Sequence, residues 1–367
     1  MNSCPGFRGR NFFPSSAPLS GLAKGVLLLY TDLTCTGPAG IFFAKESSAM
    51  PHVPATQLPT RKGASVRWLP FFFIFLQSVL YGFGDPISKV AYEVLPVYSL
   101  LTARYAIALV FLVLCFGRRI RRGLRQTSWR DWLLPSLCMG GAYIAGNIAL
   151  ELTAATSVAF LRSLSTVMTP LLALAFYQKP FGKKHIPIQL LVIVGLYLLC
   201  GLGGLSGFGW GEVFSLLSAL LLAGSLIFGE KALDRVDPIT LTSLQTAASV
   251  VMALVCALLF DKGIHLKGAG PTVWLTIVYL ALLCTVAGYL LQNAALGFLS
   301  SRTVALLQCF CPVMTAFFSR ILLGETLSAA GMAGAVIILA CVAAETLLSD
   351  ERGPELPEGE QEDTKGP

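Results

Sequence analysis

From Trp68 to Leu348 the sequence alternates between long apolar runs and short polar breaks. The hydrocarbon core of a bilayer is about 30 Å thick, so roughly 20 apolar residues in a helix can cross it. Backbone groups in lipid must satisfy their own hydrogen bonds, which makes each such run a helix. The sequence therefore predicts an all-α integral membrane protein with ten transmembrane helices. The predicted spans are 68–88, 95–116, 131–151, 156–177, 187–206, 210–230, 238–260, 272–292, 301–323 and 328–348.

The composition supports this class. Hydrophobic residues make up 55% of the chain and charged residues 13%, whereas soluble domains carry about 25% charged residues. The ten cysteines include no CxxC pair, which indicates packing rather than a metal or redox site. The three histidines lie outside the apolar runs, and no P-loop is present. The sequence thus predicts no cofactor, no metal, no catalytic residues and no nucleic-acid partner.

The two ends of the chain differ from the apolar part. Residues 1–65 are rich in Pro, Ser, Gly and Thr and are predicted to be a disordered N-terminal segment. They form either a mobile cytosolic tail or, if translation begins at Met50, a short basic leader. Residues 349–367 are predicted to be an acidic, disordered tail.

Lysine and arginine are concentrated in alternate loops, which predicts the orientation. The loops placed inside hold Arg61, Lys62, Arg67, Arg118, Arg119, Arg121, Arg122, Arg125, Arg130, Lys179, Lys183, Lys184, Lys231, Arg235 and Arg302. The loops placed outside hold only Lys89, Lys262, Lys267 and Arg320. This bias predicts that both termini face the cytoplasm. The lack of a clear organelle signal favours the plasma membrane.

Parts of the first half of the chain recur in the second half. At one constant spacing, Tyr143–Asn147 matches Tyr289–Asn293, Thr156–Leu161 matches Arg302–Leu307, and Val167–Thr169 matches Val313–Thr315. The pattern predicts two five-helix repeats, over 68–206 and 210–348. Five is an odd number, so the second repeat would be inverted in the membrane, as in many secondary transporters. A duplicated membrane enzyme is the alternative.

Each repeat has a Lys and a Pro after its first helix, Lys89 and Pro96 in the first and Lys231 and Pro238 in the second. Arg104 follows Pro96, and the second half closes with Pro312–Thr315 followed by Gly324–Leu327. In these features the repeats resemble the EamA-type carriers of the drug/metabolite transporter (DMT) superfamily. The first half departs from the closing pattern, with Thr166 in place of the proline, Pro170 one turn later, and Gln178-Lys179 in place of Gly-Glu. The resemblance implies a ten-helix fold and a transport function.

Polar groups inside a membrane are costly and therefore mark candidate functional residues. Arg104 lies near the middle of its predicted helix, where it binds either an anionic group of a solute or the carbonyls of neighbouring helices. Arg162 is matched in the second half by the neutral Gln308, so one half can recognise charge and the other hydrogen bonds. Interfacial snorkelling is the alternative for Arg162.

Two Tyr–Asn pairs complete the predicted solute-binding set. Tyr143 with Asn147 and Tyr289 with Asn293 each lie on one helical face, because their spacing is i, i+4. Hydrogen bonds between helices are the alternative role for these pairs. Asp85 is the candidate residue for ion coupling, because it precedes Pro86, which leaves a backbone carbonyl unbonded. A solvated charge near the end of the helix is the alternative for Asp85.

The sequence as a whole predicts a secondary active transporter that moves a small polar metabolite or drug-like solute by alternating access. The alternatives are a sugar-phosphate or nucleotide-sugar antiporter, a membrane-embedded enzyme acting on lipids, and a non-transporting membrane scaffold. The expected partners are the solute and the bilayer. The small residues at 329–335 permit either close helix packing or a homodimer contact.

Overall fold

The computed structural model describes residues 68–178, 186–200, 209–324 and 329–350, and all regular structure in these ranges is helical. The helices of the first half are α1 Leu69–Tyr92, α2 Val97–Gln126, α3 Trp129–Leu152, α4 Ala155–Ser163, α5 Ser165–Tyr177 and α6 Ile186–Cys200. Those of the second half are α7 Trp210–Ala232, α8 Pro238–Phe260, α9 Pro271–Tyr279, a π-helical segment Leu280–Ala287, α10 Gly288–Leu296, α11 Ser301–Leu307, α12 Phe310–Leu323 and α13 Ala329–Asp350. The predicted N-terminal segment, nearly all of the acidic tail and Glu325 lie outside the described residues.

Eight of the described helical segments are long and apolar enough to cross a membrane. Two of these join helices that follow each other directly, α4 with α5 and α11 with α12, and one runs from α9 through the π-helical segment to α10. In α6 and α13 the apolar stretches are shorter, at Ile186–Gly195 and Ala329–Cys341. The described residues thus support eight of the ten predicted spans by length and composition.

Several helices extend beyond the predicted spans. The prediction for the second span ended at residue 116, but α2 continues to Gln126. The added residues include several arginines, and arginine is a good helix former, so the helix continues where the sequence becomes polar. Similarly, α1 passes through Pro86 and ends at Tyr92, which places Lys89 in its last turn.

Helices of the first half pack mainly against helices of the second half. The main pairs are α3 with α7, α2 with α8, α6 with α13, α1 with α12, α3 with α8, α1 with α10, and α5 with α7. In the α1–α12 pair the backbones approach closely at Gly82, where an added Cβ would lie 2.8 Å from the carbonyl carbon of Met314.

The predicted small-residue clusters lie at helix contacts. Gly140 in α3 faces Ser249 and Met252 of α8. A Cβ added at Gly195 in α6 would lie 3.1 Å from the carbonyl oxygen of Gly334 in α13. At Gly334, the predicted small-residue surface of α13 therefore packs against α6 of the same chain.

Both halves contain an irregular turn at the matching place. Between α4 and α5, the Leu164 N–H donates to the Leu161 carbonyl, and between α11 and α12, the Cys309 N–H donates to the Leu306 carbonyl. These i→i+3 bonds tighten the chain by a fraction of a turn. The turn forms in the first half although Thr166 stands where the second half has Pro312, so it does not depend on a proline there.

Candidate solute-binding site

A cavity of about 30 Å³ lies between helices of the two halves. Most of the surface that lines it is apolar, although several lining residues have polar side chains. The lining comes from α1, α3, α4, α5, α7, α11 and α12 together with Gln308. A space of this size holds about two water molecules. The lining residues are Gln77, Ser78, Tyr81, Tyr143, Ala159, Arg162, Ser163, Ser165, Leu222, Ala305, Gln308 and Cys311.

Arg162 is the cation in this lining, and it is paired with Asp85. Arg162 lies in the last turn of α4, next to the irregular turn, and its Nη2 is 2.8 Å from Oδ2 of Asp85 in α1. The two side chains are only 10% and 12% exposed. A buried charge requires a partner, so the pair explains how both residues are tolerated at this depth. Asp85 is therefore not a solvated boundary charge, which is the commoner state of such carboxylates.

Three glutamine side chains form a hydrogen-bonded cluster beside the cavity. Gln77 Nε2 donates to Gln292 Oε1 at 2.9 Å, and Gln308 Nε2 donates to Gln77 Oε1 at 3.1 Å and to Gln292 Oε1 at 2.9 Å. The cluster joins α1, α10 and the irregular turn after α11. Within the described part of the chain, Gln308 Oε1 has no hydrogen-bond partner. We call these three residues the amide cluster.

The tyrosine members of the predicted set contact each other. The rings of Tyr143 in α3 and Tyr289 in α10 have centroids 5.2 Å apart, and the Tyr81 ring contacts Tyr143 at 5.8 Å. Tyr143 lines the cavity, while Tyr289 is fully buried behind it. The aromatic contact thus connects the first half of the chain to the second.

Arg104 lies apart from the cavity lining. It is 4% exposed, and its Nε donates to Thr285 Oγ1 at 2.9 Å. Thr285 belongs to the π-helical segment and donates in turn to the Leu280 carbonyl at 3.0 Å. Among the described residues, no carboxylate forms an ion pair with Arg104, although Tyr105 and Tyr289 are close enough to interact with its charge.

The two asparagines make hydrogen bonds away from the cavity. Asn147 donates to the Tyr143 carbonyl and accepts from the Tyr92 hydroxyl. Asn293 donates to Thr242 Oγ1 and to Gln245 Oε1, both in α8.

The predicted set is therefore brought together only in part. The cavity collects Tyr143, Arg162 and Gln308, whereas Arg104, Asn147, Tyr289 and Asn293 do not line it. Sequence reasoning missed Gln77, which donates within the amide cluster and lines the cavity. A glutamine in the middle of an apolar helix was the available signal, because its amide must find a partner there.

Known proteins with similar sequences are membrane transporters. The model of the EamA-like transporter family matches residues 68–201 and, separately, residues 209–344. The chain belongs to the EamA-like transporter family. This confirms the resemblance to EamA-type carriers of the DMT superfamily, and with the apolar helices it makes the chain a multi-pass membrane protein.

Curated relatives of this EamA-like protein also carry transporter names. It is 25% identical to an uncharacterized transporter of Archaeoglobus fulgidus, over 73% of this chain and 82% of that one. It is 28% identical to human solute carrier family 35 member E4, over 64% of this chain and 67% of the relative. It is also 28% identical to a probable amino-acid metabolite efflux pump of Salmonella typhimurium, over 45% of this chain and 58% of the relative.

A solved crystal structure has the same fold as this EamA-like chain. It covers 79% of this chain and 99% of its own, with a TM-score of 0.64 and 18% identity. At that identity the likeness concerns the fold alone.

Proposed function

We propose that this protein is a secondary active carrier that moves a small polar metabolite across the membrane by alternating access. The observation that carries the proposal is the cavity between the two halves, lined by Tyr143 and Arg162 from one and by Gln308 from the other. A space that holds about two waters is too small for a metabolite. A solute would therefore enter by movement of one half against the other.

The packing supports two related halves. Each helix pair has a counterpart when the matching helices of the two halves are interchanged. The α1–α12 pair then corresponds to α5–α7, and the α1–α10 pair corresponds to α3–α7. The α2–α8 and α6–α13 pairs each join two matching helices and so correspond to themselves. Such correspondence is expected of two repeats that can rock about a shared site. We propose that residues 68–206 and 210–348 are these inverted five-helix repeats.

The buried charges favour a solute that carries an anionic group. Among the described residues, the buried charged side chains are Asp85, Arg104 and Arg162, which amount to one excess positive charge. In a low dielectric, an anion would neutralise this excess. We propose that Arg162 binds the anionic group of the solute and that Arg104 supplies the balancing positive charge. The remaining predicted residues shape the site: Tyr143, Tyr289, Asn147 and Asn293.

Asp85 is the candidate for ion coupling. When Arg162 releases Asp85 to bind the solute, the Asp85 carboxylate needs another cation or a proton to neutralise it.

The names of the relatives suggest a transporter rather than an enzyme, and one relative is named for amino-acid metabolites. Such metabolites are therefore the first solutes to test. A sugar-phosphate or nucleotide-sugar antiporter is less well supported. A phosphate favours several converging cations, and Arg162 is the one cationic side chain among the lining residues.

Counterflow in liposomes tests the proposal. Purified full-length protein is reconstituted and loaded in turn with amino acids, hydroxy acids, sugars, nucleotides and amines, and uptake of each radiolabelled solute is followed. We expect saturable counterflow for at least one small anion-bearing solute, and its loss in the Arg104→Ala variant. Arg122→Ala, at an exposed arginine of α2, is the matched control.

Each outcome of that experiment has a clear meaning. If no solute shows counterflow, the carrier proposal fails and a membrane scaffold becomes the better explanation. If Arg104→Ala transports with unchanged kinetics, Arg104 has no part in the site.

A further inference from the structure

The cavity has a charged region at Arg162 and an uncharged region at Gln308, and each of these residues is bonded to a residue of α1. Gln77, Tyr81 and Asp85 follow one another at i, i+4 and i+8, so they share one face of α1. Arg162 is bonded to Asp85, and Gln308 is bonded to Gln77. Eight residues of helix correspond to roughly 12 Å. The guanidinium and the amide cluster are therefore bonded to positions of α1 that lie about two turns apart.

The amide cluster remains uncharged but can bond either a donor or an acceptor. As it stands, Gln308 Oε1 is the unpartnered atom. If all three amides rotate by half a turn about their last side-chain bond, each of the three hydrogen bonds is kept in the reverse direction. Gln308 would then direct its N–H, rather than its carbonyl oxygen, away from the cluster. A hydroxyl or an amide of a solute satisfies both arrangements.

A charged group of the solute is disfavoured beside Gln308. The lining residues include no carboxylate, so an ammonium group near Gln308 would be without a counter-ion. A carboxylate there would gain only neutral N–H donors while losing its hydration. Burying an ion with such poor compensation is much more costly than burying a hydroxyl.

We propose that Gln308 is the specificity-determining residue of this cavity, and that the solute carries an anionic group at Arg162 and an uncharged hydroxyl or amide at the amide cluster. This inference rests on the proposed carrier function. The two groups of the solute are separated by less than about 12 Å, which is the axial distance between their partners on α1.

Competition among solutes of equal length tests the proposal. The full-length protein in liposomes is assayed with the solute found by counterflow, and three five-carbon acids compete with it: glutaric acid monoamide, glutarate and 5-aminopentanoate. A second set compares glutamine with glutamate. For the natural protein we expect the amide-ended members to compete at least about tenfold better than the acidic or amine-ended ones, because the site's amides pair only with the former.

Two variants locate the discrimination at Gln308. Gln308→Glu places an anionic group that can only accept hydrogen bonds in the amide cluster, and the amides of Gln77 and Gln292 can turn their N–H groups toward it. For this variant we expect the preference among the three competing acids to shift at least about tenfold toward 5-aminopentanoate, whose ammonium group the new carboxylate can pair with. Gln308→Met has a similar size and no polar atom of comparable strength, and it should remove the preference for the amide-ended acid. Gln126→Glu, at the exposed end of α2, adds the same charge outside the cavity and should change nothing.

The readout separates this inference from the carrier proposal. A purely structural role for Gln308 would lower transport of all solutes equally, and that result overturns the inference. So does a natural protein that transports but does not prefer amide-ended or hydroxyl-ended acids. Absence of counterflow with every solute overturns the carrier proposal, and the inference with it. Size-exclusion profiles of each variant establish that it is folded.

Discussion

At the scale of single residues, the matched positions 162 and 308 carry different chemistry in equivalent surroundings. Both side chains stand at an irregular turn and both line the cavity, but Arg162 pairs with Asp85 whereas Gln308 bonds two other amides. That position 162 recognises charge in a solute and position 308 hydrogen bonds stays a prediction. The sequence did not identify the partners, because they lie far away along the chain.

The Asp85–Arg162 pair gives a prediction about stability. We expect Asp85→Asn to lower the free energy of unfolding by about 3 kcal/mol, because it leaves Arg162 buried without its carboxylate. In an Arg162→Gln background the same change should cost much less, since no uncompensated charge is left. Chemical unfolding of the four proteins in detergent micelles measures the coupling. Equal costs of Asp85→Asn in both backgrounds would show that the two side chains do not interact.

At the scale of helices, the π-helical segment explains how Arg104 is held. In a π-helix the hydrogen bonds run from i to i+5, and the Thr285 hydroxyl donates to the Leu280 carbonyl at that spacing while accepting from Arg104. The matching position in the first half is Met139, which has no such hydroxyl. The hydroxyl that accepts the Arg104 hydrogen bond therefore has no counterpart in the first half.

The close approach of α1 and α12 gives a prediction about packing. A Cβ at position 82 would lie 2.8 Å from the Met314 carbonyl carbon and 2.9 Å from the Thr315 nitrogen, both backbone atoms that cannot move aside alone. We expect Gly82→Ala to destabilise the protein by about 2 kcal/mol, as overpacking usually does. The measurement is the unfolding free energy in micelles.

Gly117 in α2 is the matched control, because a Cβ there would meet nothing nearer than Val113 Cγ1 at 3.9 Å. Gly117→Ala should be neutral or stabilising, since alanine favours helix. If the two substitutions had the same effect, α1 and α12 would not be in close backbone contact.

At the scale of the whole molecule, hydrogen bonds and ion pairs group the helix ends into two sets. Asp261 accepts from the Ser99 N–H and hydroxyl, which joins the end of α8 to the start of α2. Toward the other end of α2, Arg119 pairs with Asp237 at the start of α8. Arg235, between α7 and α8, pairs with Asp131 at the start of α3. These pairs define which loops share a side of the membrane.

The predicted orientation can be tested with single cysteines in a background lacking the ten native ones. We expect a membrane-impermeant thiol reagent to label Glu93→Cys and Lys267→Cys in intact cells. Arg122→Cys and Asp234→Cys should react only after permeabilisation, because the arginine-rich end of α2 is predicted to be cytoplasmic. The reverse pattern would invert the orientation, and a mixed pattern within either pair would contradict the grouping of helix ends.

The helical membrane class and the family could be predicted from the amino-acid sequence, and so could several polar candidate residues, including Arg162 and Gln308. These follow from hydropathy, composition and repeated local patterns, which each segment carries independently of the rest of the chain. The sequence placed Tyr143 and Tyr289 at matching positions of the two repeats, and the structure adds that their rings are in contact.

Which polar groups meet depends on how the helices pack against each other. The sequence could not pair Arg162 with Asp85, bring Gln77 into the amide cluster, or bond Arg104 to Thr285, because each contact joins helices far apart in the chain. Hydropathy also did not locate the end of α2. The helix continues past its apolar run to Gln126 because arginine favours helix, and a hydropathy pattern does not report helix propensity. A buried polar side chain must find a partner, but only the packing of the helices determines which partner is within reach.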